Sequence, residues 1–171
     1  MKLYLVLFCL LPVLGISQNL SIEELIRLQD KSYYNVKEIL LGKKWIIIQE
    51  GGGKDFDFGD IRFAFDDEIG NRQNSFFISF YYYKTEPKKN KIEFEFPSYE
   101  IYLSHVAKLT QLGFEKTNTD EDVNQSWEIY QNYKLYIESV IRPVENYFGK
   151  QKTFYEWIIT DKSVSYPRRR K

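Results

Sequence analysis

The side chains best suited to chemistry in this 171-residue chain are six acidic residues that follow a run of three glycines. Carboxylates can bind cations, and a pair of them can hydrolyse a glycosidic bond. A calcium loop of the EF-hand type needs ligands at fixed positions, and Gly59 stands where the third ligand belongs. We therefore predict no metal site, and a small hydrolase or carbohydrate-active enzyme built on loop 55–68 stays open as an alternative function. The six residues are Asp55, Asp57, Asp60, Asp66, Asp67 and Glu68.

Histidine and cysteine offer little catalytic chemistry, because the chain has one of each, His105 and Cys9. A lone histidine cannot form a His-rich zinc site, and no G-x-S-x-G sequence indicates a Ser-His-Asp arrangement. We place His105 at the surface or boundary of a helix. The glycine run is followed by Lys54 and Asp55, whereas a phosphate-binding loop needs Ser or Thr after the lysine. We predict no catalytic residue and no cofactor, and we favour a protein that is not an enzyme.

The first 17 residues have the pattern of a secretory signal peptide: Lys2, then the apolar run 3–14, then small residues before Gln18. An apolar run of this length is too short for a bilayer, which needs roughly 20 residues. We expect cleavage near Ser17/Gln18 and a periplasmic or secreted protein with no transmembrane segment in its mature chain. Cys9 is removed with the signal, so we expect the exported protein to be stable without disulfides.

Charge and composition limit the classes of binding partner and of fold that are expected for this chain. The chain has 24 basic and 24 acidic residues, and this balance argues against nucleic acid or an anionic membrane as a partner. Aromatic residues make up 18% of the chain, with 14 Tyr, 13 Phe and 3 Trp. Aromatic residues favour strands and contribute large buried areas, so the composition favours a β-rich fold.

Two regions of the sequence have helical patterns and can position the candidate functional residues. Residues 97–114 form an amphipathic pattern with Ser98 as N-cap and Gly113 as the residue that ends the helix. Residues 21–45 begin with a capping box, Ser21 to Glu24, allow a break near residues 30–32, and place Gly42 where a C′ glycine belongs.

Eight strands are predicted around these helices. Alternating and aromatic runs indicate strands at residues 44–49, 61–66, 75–84, 91–96, 114–119, 126–131, 133–141 and 152–161. The order is a helix followed by four strands, written twice. Overlaying Lys37, Leu41 and Gly42 on Lys108, Leu112 and Gly113 gives weak sequence support for a tandem duplication.

We therefore predict an α+β fold. Tandem helix-plus-four-strand units, residues 18–97 and 98–163, form one antiparallel sheet of about eight strands with the helices on one face, followed by a basic tail at 164–171. Assigning the more apolar side of each strand to the helices leaves an open face that is rich in tyrosine. We predict Arg62, Tyr81, Tyr83, Tyr130, Tyr136 and Glu138 as its ligand-binding residues, together with Ala64, Ser79, Glu93 and Glu95 on the same face.

Two resemblances follow from these features. The signal ending in Ile16-Ser17-Gln18-Asn19, the cysteine-free mature chain and the L-x-x-L-G-F run at residues 109–114 resemble small exported flavobacterial proteins to which no function is assigned. The element order is similar to the β-lactamase-inhibitor-protein architecture, in which two helix-plus-sheet units join into one sheet whose open face grips a partner protein. This resemblance implies a binding role, although a fold by itself does not determine function.

Three functions are consistent with the sequence. We favour an exported, non-enzymatic binding protein that uses the Tyr-rich open face, with another envelope or secreted protein as its partner. The alternatives are the hydrolase on loop 55–68 and a structural envelope component that pairs its edge strands. The sequence leaves the oligomeric state open.

Overall fold

The structure is a computed structural model, and it describes residues 20–52, 57–65, 76–145 and 151–164. The predicted signal peptide, nearly all of the basic tail, and Asp55, Asp66, Asp67 and Glu68 of the acidic loop lie outside the described residues.

The first helical region contains two helices, α1 (Ile22–Leu28) and α2 (Tyr33–Gly42), which confirms the predicted break. The capping box is present, with the Glu24 amide donating to Ser21 Oγ and the Ser21 amide donating to the Glu24 carboxylate. The role predicted for Gly42 is wrong, because Gly42 is the last residue of α2 and Lys44 takes the left-handed conformation, with φ 67°. Helix α2 continues far enough for the Trp45 amide to donate to the Leu40 carbonyl at 3.0 Å.

The second helical region is helix α3 (Tyr99–Gln111), with Ser98 as its N-cap. The Ile101 amide donates to Ser98 Oγ at 3.3 Å, as predicted. Gly113 has φ +78° just after the helix, a conformation that glycine adopts without a Cβ penalty. Here the prediction of the helix end is confirmed.

All the described strands belong to one antiparallel sheet with the order β1-β2-β3-β4-β8-β7-β6-β5, which confirms the predicted α+β fold with a single eight-stranded sheet. A short 3₁₀ turn at Pro87–Lys89 precedes β4. The strands are β1 (Ile46–Gly51), β2 (Phe58–Phe65), β3 (Phe76–Tyr83), β4 (Lys91–Phe96), β5 (Glu115–Glu121), β6 (Ser126–Gln131), β7 (Leu135–Glu145) and β8 (Gln151–Asp161).

The strands β1–β4 and β5–β8 form two meanders with the same pairing pattern. In the first meander a cross-strand row runs from Ile47 through Phe63 and Ile78 to Phe94. In the second, the equivalent row runs from Lys116 through Tyr130 and Ile137 to Ile159, and in both meanders a bulge follows the first residue of the row.

The seam between the two meanders, where β4 pairs with β8, also relates equivalent residues of the two halves. Phe94 pairs with Trp157 and Ile92 pairs with Ile159, so exchanging the two halves leaves the pairing unchanged. The helix ends match as well, because the Phe114 amide donates to the Leu109 carbonyl as the Trp45 amide does to Leu40. Gly113 therefore corresponds to Lys44 and not to Gly42, so the sequence overlay is wrong by two residues.

The hydrophobic core lies between the helices and one face of the sheet. Trp45 packs against Phe94, and Tyr102 stacks on Trp157 with ring centroids 5.4 Å apart. The surface position predicted for His105 is wrong: its ring lies against Phe94, Phe96 and Trp157, and it is 4% exposed. Burial lowers the pKa of His105 to about 4, so the imidazole is neutral near pH 7.

Among the described residues, no helix is long and apolar enough to cross a membrane.

Candidate functional site

The candidate site is the helix-free face of the sheet, defined by the cross-sheet row Arg62, Ser79, Glu93, Ile158 and Glu138 and by every second residue along the strands from that row. In an antiparallel sheet, paired residues share a face and neighbours along a strand alternate. By this rule, nine of the ten predicted residues lie on this face: Arg62, Ala64, Ser79, Tyr81, Tyr83, Glu93, Glu95, Tyr136 and Glu138.

The tenth residue, Tyr130, was assigned to the wrong face. It belongs to the row with Ile137 and Ile159, is 4% exposed and packs edge-on against Trp157 under the helices. Its hydroxyl donates to the half-buried Glu128 at 2.6 Å, so this polar contact compensates for its position in the core. The assignment of Tyr130 from the sequence failed because the more apolar side of β6, which contains Trp127 and Ile129, was placed against the helices.

A charged network occupies the middle of the helix-free face. Arg62 on β2 and Arg142 on β7 both donate to Glu95 on β4, with N–O distances of 3.0 and 3.4 Å. Arg142 also lies 3.8 Å from Glu156 on β8. The network therefore spans strands of both halves and fixes the arginine side chains against the sheet. Arg142 and Glu156 were missed by the sequence prediction.

Tyr81 is held in place beside this network. Its hydroxyl donates to Glu93 at 3.0 Å, and Lys91 lies 4.0 Å from the centre of its ring while pairing with Glu93 at 2.6 Å. Burial and the neighbouring Glu93 raise the pKa of Tyr81 to about 12. Tyr81 is thus a rigid neutral side chain and not an acid–base group near pH 7.

Further aromatic rings line the same face and were also missed by the sequence prediction. Phe58 packs on Tyr83 with ring centroids 5.1 Å apart, and the Arg62 guanidinium lies 4.9 Å from the centre of the Phe77 ring. In β3 nearly every residue is aromatic, so alternation of polarity cannot separate the two faces. The pairing of Phe77 with Ala64 and Glu95 assigns that ring to the helix-free face.

The remaining predicted residues lie apart from this centre. Tyr136 and Glu138 are on β7, which is three strands from β3, or about 14 Å at the usual strand spacing. Between them and Tyr81 run β4 and β8, with Ile158 paired to Glu138. The predicted residues therefore form two groups on one face and not a single compact pocket.

Glu156 is the least favourably placed charge on the face. It pairs across the strands with Glu95, a like charge, and its side chain is 13% exposed. Burial and the nearby Glu93 raise the pKa of Glu156 to about 7. The positive charge of Arg142 lowers this pKa but only partly offsets the rise. Like charges directly opposite each other destabilise a sheet, so Glu156 contributes nothing favourable to folding when it is ionised.

We therefore expect the substitution Glu156→Gln to stabilise the protein at neutral and alkaline pH. Since the raised pKa penalises ionisation in the folded state only, the contribution of Glu156 to wild-type stability should fall as the pH rises from about 4.5 to 7. The gain of the variant should reach roughly 1–3 kcal/mol at pH 8 and vanish near pH 4. Urea unfolding of both proteins across this pH range measures it.

Glu115→Gln is the matched control, because it removes one negative charge from β5, whose side chains are all exposed. A similar gain in both variants would show an effect of net charge and would contradict the role given to the Glu95–Glu156 pair.

The acidic loop is only partly described. Asp60 lies in β2 opposite Tyr81 on the helix-free face, and Asp57 is exposed just before that strand. Among the described residues, no group of three or more His, Cys, Asp or Glu is arranged to hold a metal ion.

Fold and site together define an α+β protein whose single eight-stranded antiparallel sheet carries its helices on one side and a face of fixed ion pairs and aromatic rings on the other. Comparisons with protein families, with curated proteins and with solved structures found no match for the chain. The resemblances to exported flavobacterial proteins and to the β-lactamase-inhibitor-protein architecture stay predictions.

Proposed function

We propose that the chain is an exported, non-enzymatic binding protein that holds another envelope or secreted protein on its helix-free face. The observation that carries the proposal is the combination, on a sheet face that no described helix covers, of aromatic rings with charges already fixed in ion pairs. Export rests on the pattern of the first 17 residues alone.

The dimensions of the face suit a protein partner. Eight strands at about 4.8 Å spacing and six residues at about 3.4 Å rise cover roughly 780 Å². A standard protein–protein interface buries about 800 Å² on each side. A small molecule would need a concave pocket instead, and the two groups of predicted residues do not form one.

The chemistry of the face also suits a protein partner. Aromatic residues and arginine are enriched in the centres of protein interfaces. The contacts of Arg62 with Glu95 and of Tyr81 with Glu93 hold these side chains in place before binding, which lowers the entropic cost of association.

The test begins with capture of host envelope and secreted proteins on the purified chain, and continues with the purified partner by calorimetry. The variant Tyr81→Ala/Phe77→Ala removes two rings from the face and should weaken binding by about tenfold or more. Tyr133→Ala is the control, because Tyr133 is fully solvent-accessible in the β6–β7 turn, away from the face. Circular dichroism checks that each variant is folded.

The proposal is wrong if no partner is retained, or if Tyr133→Ala weakens the captured interaction as much as the double substitution does. Unchanged affinity in the double variant would place the interaction elsewhere on the molecule.

The shared pairing pattern of the two meanders supports a second proposal, that the chain arose by tandem duplication of a helix-plus-four-strand unit. The matched bulges and the matched αL residues, Lys44 and Gly113, are the features that support it.

A further inference from the structure

We propose that Glu156 and Arg142 form a proton switch at the centre of the helix-free face. Arg142 pairs with Glu95 when Glu156 carries a proton, and it is shared with Glu156 when Glu156 is ionised. The switch is a property of the chain alone. Its consequence for binding, a partner that is held more tightly when Glu156 is protonated, rests on the function proposed above.

The two carboxylates of the switch lie at the centre of the sheet. β4 and β8 are the two middle strands of the eight, and Glu95 lies directly opposite Glu156 across their seam. Their side chains are 19% and 13% exposed. Carboxylates that face each other in partly buried positions repel each other when both are ionised. One of the two is therefore expected to bind a proton more readily than an isolated carboxylate does.

The contacts of the neighbouring arginines identify Glu156 as the carboxylate that takes the proton. One oxygen of Glu95 accepts from Arg62 at 3.0 Å, and the other accepts from Arg142 at 3.4 Å. In the described part of the chain, Glu156 makes one ion pair, with Arg142 at 3.8 Å, which is longer than a hydrogen bond. The pKa of Glu156, which burial raises to about 7, agrees with this assignment from geometry.

The remaining charges of β4 do not reverse the assignment. Glu93 is held by Lys91 at 2.6 Å and by the Tyr81 hydroxyl at 3.0 Å. Both charges act on Glu156, and the negative charge of Glu93 raises its pKa more than the positive charge of Lys91 lowers it. This ion pair therefore adds to the cost of ionising Glu156.

The surroundings of Glu156 on β7 and β8 are mostly uncharged. On β7, Arg142 lies on one diagonal from Glu156 and Glu138 on the other, so each charge there has a counterpart of opposite sign. On β8, the nearest charge on the same face is Lys152, four residues away, or about 13 Å along the strand. The uncharged neighbours on this face are Val140 on β7 and Phe154 and Ile158 on β8.

Arg142 lies between the two carboxylates, so its pairing follows the proton. When Glu156 is neutral, Glu95 is the stronger acceptor, and the shorter distance from Arg142 to Glu95 corresponds to this state. When Glu156 loses its proton, it becomes an equal competitor for Arg142, while Arg62 continues to pair with Glu95. The side chain of Arg142 is 40% exposed, so a small rotation of its guanidinium group suffices.

A partner that covers the face must cover this pair, because the pair lies on the middle strands. The centres of protein interfaces are depleted of charge, and loss of solvent around a carboxylate raises its pKa further. Glu156 should therefore take up a proton on binding, and binding should be tighter at lower pH. A partner that supplied a lysine or arginine to Glu156 would have the opposite effect.

NMR of the full chain between about pH 4.5 and 9 tests the switch, following the carboxyl carbons of glutamate and the side-chain nitrogens of arginine. We expect one carboxyl carbon to titrate with a midpoint of about 7, and we expect this titration to be absent from Glu156→Gln. The Arg142 side-chain resonance should shift with the same midpoint in the wild-type protein and stay constant in Glu156→Gln.

Two arginine variants show whether Arg142 is the cation that responds. Arg142→Gln should move the midpoint of Glu156 upward, because the positive charge of Arg142 lowers the pKa of Glu156. Arg27→Gln is the matched control. It removes the same side chain from α1, on the other side of the sheet, where Arg27 contacts Glu23, and it should leave the midpoint unchanged.

Calorimetry measures the consequence for binding, with the partner captured in the test of the proposed function. Titrations at about pH 6 and 8, in two buffers of different ionisation enthalpy, give the affinity and the number of protons taken up. We expect uptake of up to one proton and an affinity lower by up to about tenfold at the higher pH. Glu156→Gln should bind equally well at both pH values.

The switch is overturned if no glutamate carboxyl carbon titrates above about pH 6, if the titration persists in Glu156→Gln, or if the Arg142 resonance does not follow it. Proton release on binding, or an affinity that does not change with pH, would refute the coupling and leave the proposed function standing. Capture of no partner would refute the proposed function together with the coupling, while the NMR titration would still decide the switch.

Discussion

The substitution Trp157→Ala should lower the free energy of unfolding by about 3–5 kcal/mol, because it leaves a large cavity at the seam of the sheet. Trp157 is fully buried, pairs with Phe94 across the junction of the two meanders and stacks on Tyr102 from α3. The loss is comparable to the whole stability of a marginal domain, which begins near about 5 kcal/mol. Urea unfolding followed by far-ultraviolet circular dichroism measures it.

Trp157→Phe is the informative control for this prediction. The indole nitrogen of Trp157 is buried without a hydrogen-bond partner in the described part of the chain, so the smaller ring sacrifices no polar contact. We expect a loss below about 1.5 kcal/mol, since most of the packing remains. Equal losses in the two variants would show that the cavity is not the cause. Because β4 and β8 form one continuous sheet, both variants should unfold in a single transition.

The second large effect is expected at Glu128, which joins α3 to the second meander. Its carboxylate accepts hydrogen bonds from Tyr102 at 2.5 Å, from Tyr130 at 2.6 Å and from Lys116 at 2.6 Å. Burial by itself raises the pKa of Glu128, but the three donors outweigh it and hold the pKa below the ordinary value. The substitution Glu128→Ala should cost about 2–4 kcal/mol, because it leaves two tyrosine hydroxyls without their acceptor. Thermal and urea unfolding measure it.

A triple variant distinguishes the cost of unpaired tyrosine hydroxyls from the cost of lost side-chain volume. Glu128→Leu combined with Tyr102→Phe and Tyr130→Phe removes the acceptor together with the two buried tyrosine donors and leaves the exposed Lys116 to solvent, so it should recover much of the stability lost in Glu128→Ala. Failure to recover would mean that packing around Glu128, and not the unpaired hydroxyls, determines the cost. Glu121→Ala on the exposed β5 should have little effect and serves as the surface control.

Trp157 and Glu128 stabilise the folded state, whereas Glu156 and the exposed isoleucines of β1 are unfavourable for its stability. The Glu95–Glu156 pair places like charges opposite each other, and the isoleucines of β1 leave apolar surface at an edge. Natural proteins retain such locally unfavourable features mainly at functional sites. Both features lie outside the buried core, and the Glu95–Glu156 pair belongs to the helix-free face that is proposed to bind a partner.

The sequence alone determined the elements and the class of fold, because the information for them is local. Capping at Ser21 and Ser98 depends on residues three positions away, and alternation in β4 depends on neighbours two positions away. The same local rules misplaced Gly42 by ignoring that α2 could continue, and misplaced His105 by treating a polar ring as a surface group.

Only the tertiary structure decided which residues share a face and which charges meet. Tyr130 went to the core because Glu128, Tyr102 and Lys116 provide it with a polar environment from three separate elements. Arg142 and Glu156 joined Arg62 and Glu95 through the β4–β8 seam, a pairing of strands some 60 residues apart in the chain. Such contacts depend on the register between distant strands, and register follows from the packing of the whole sheet and not from any local pattern.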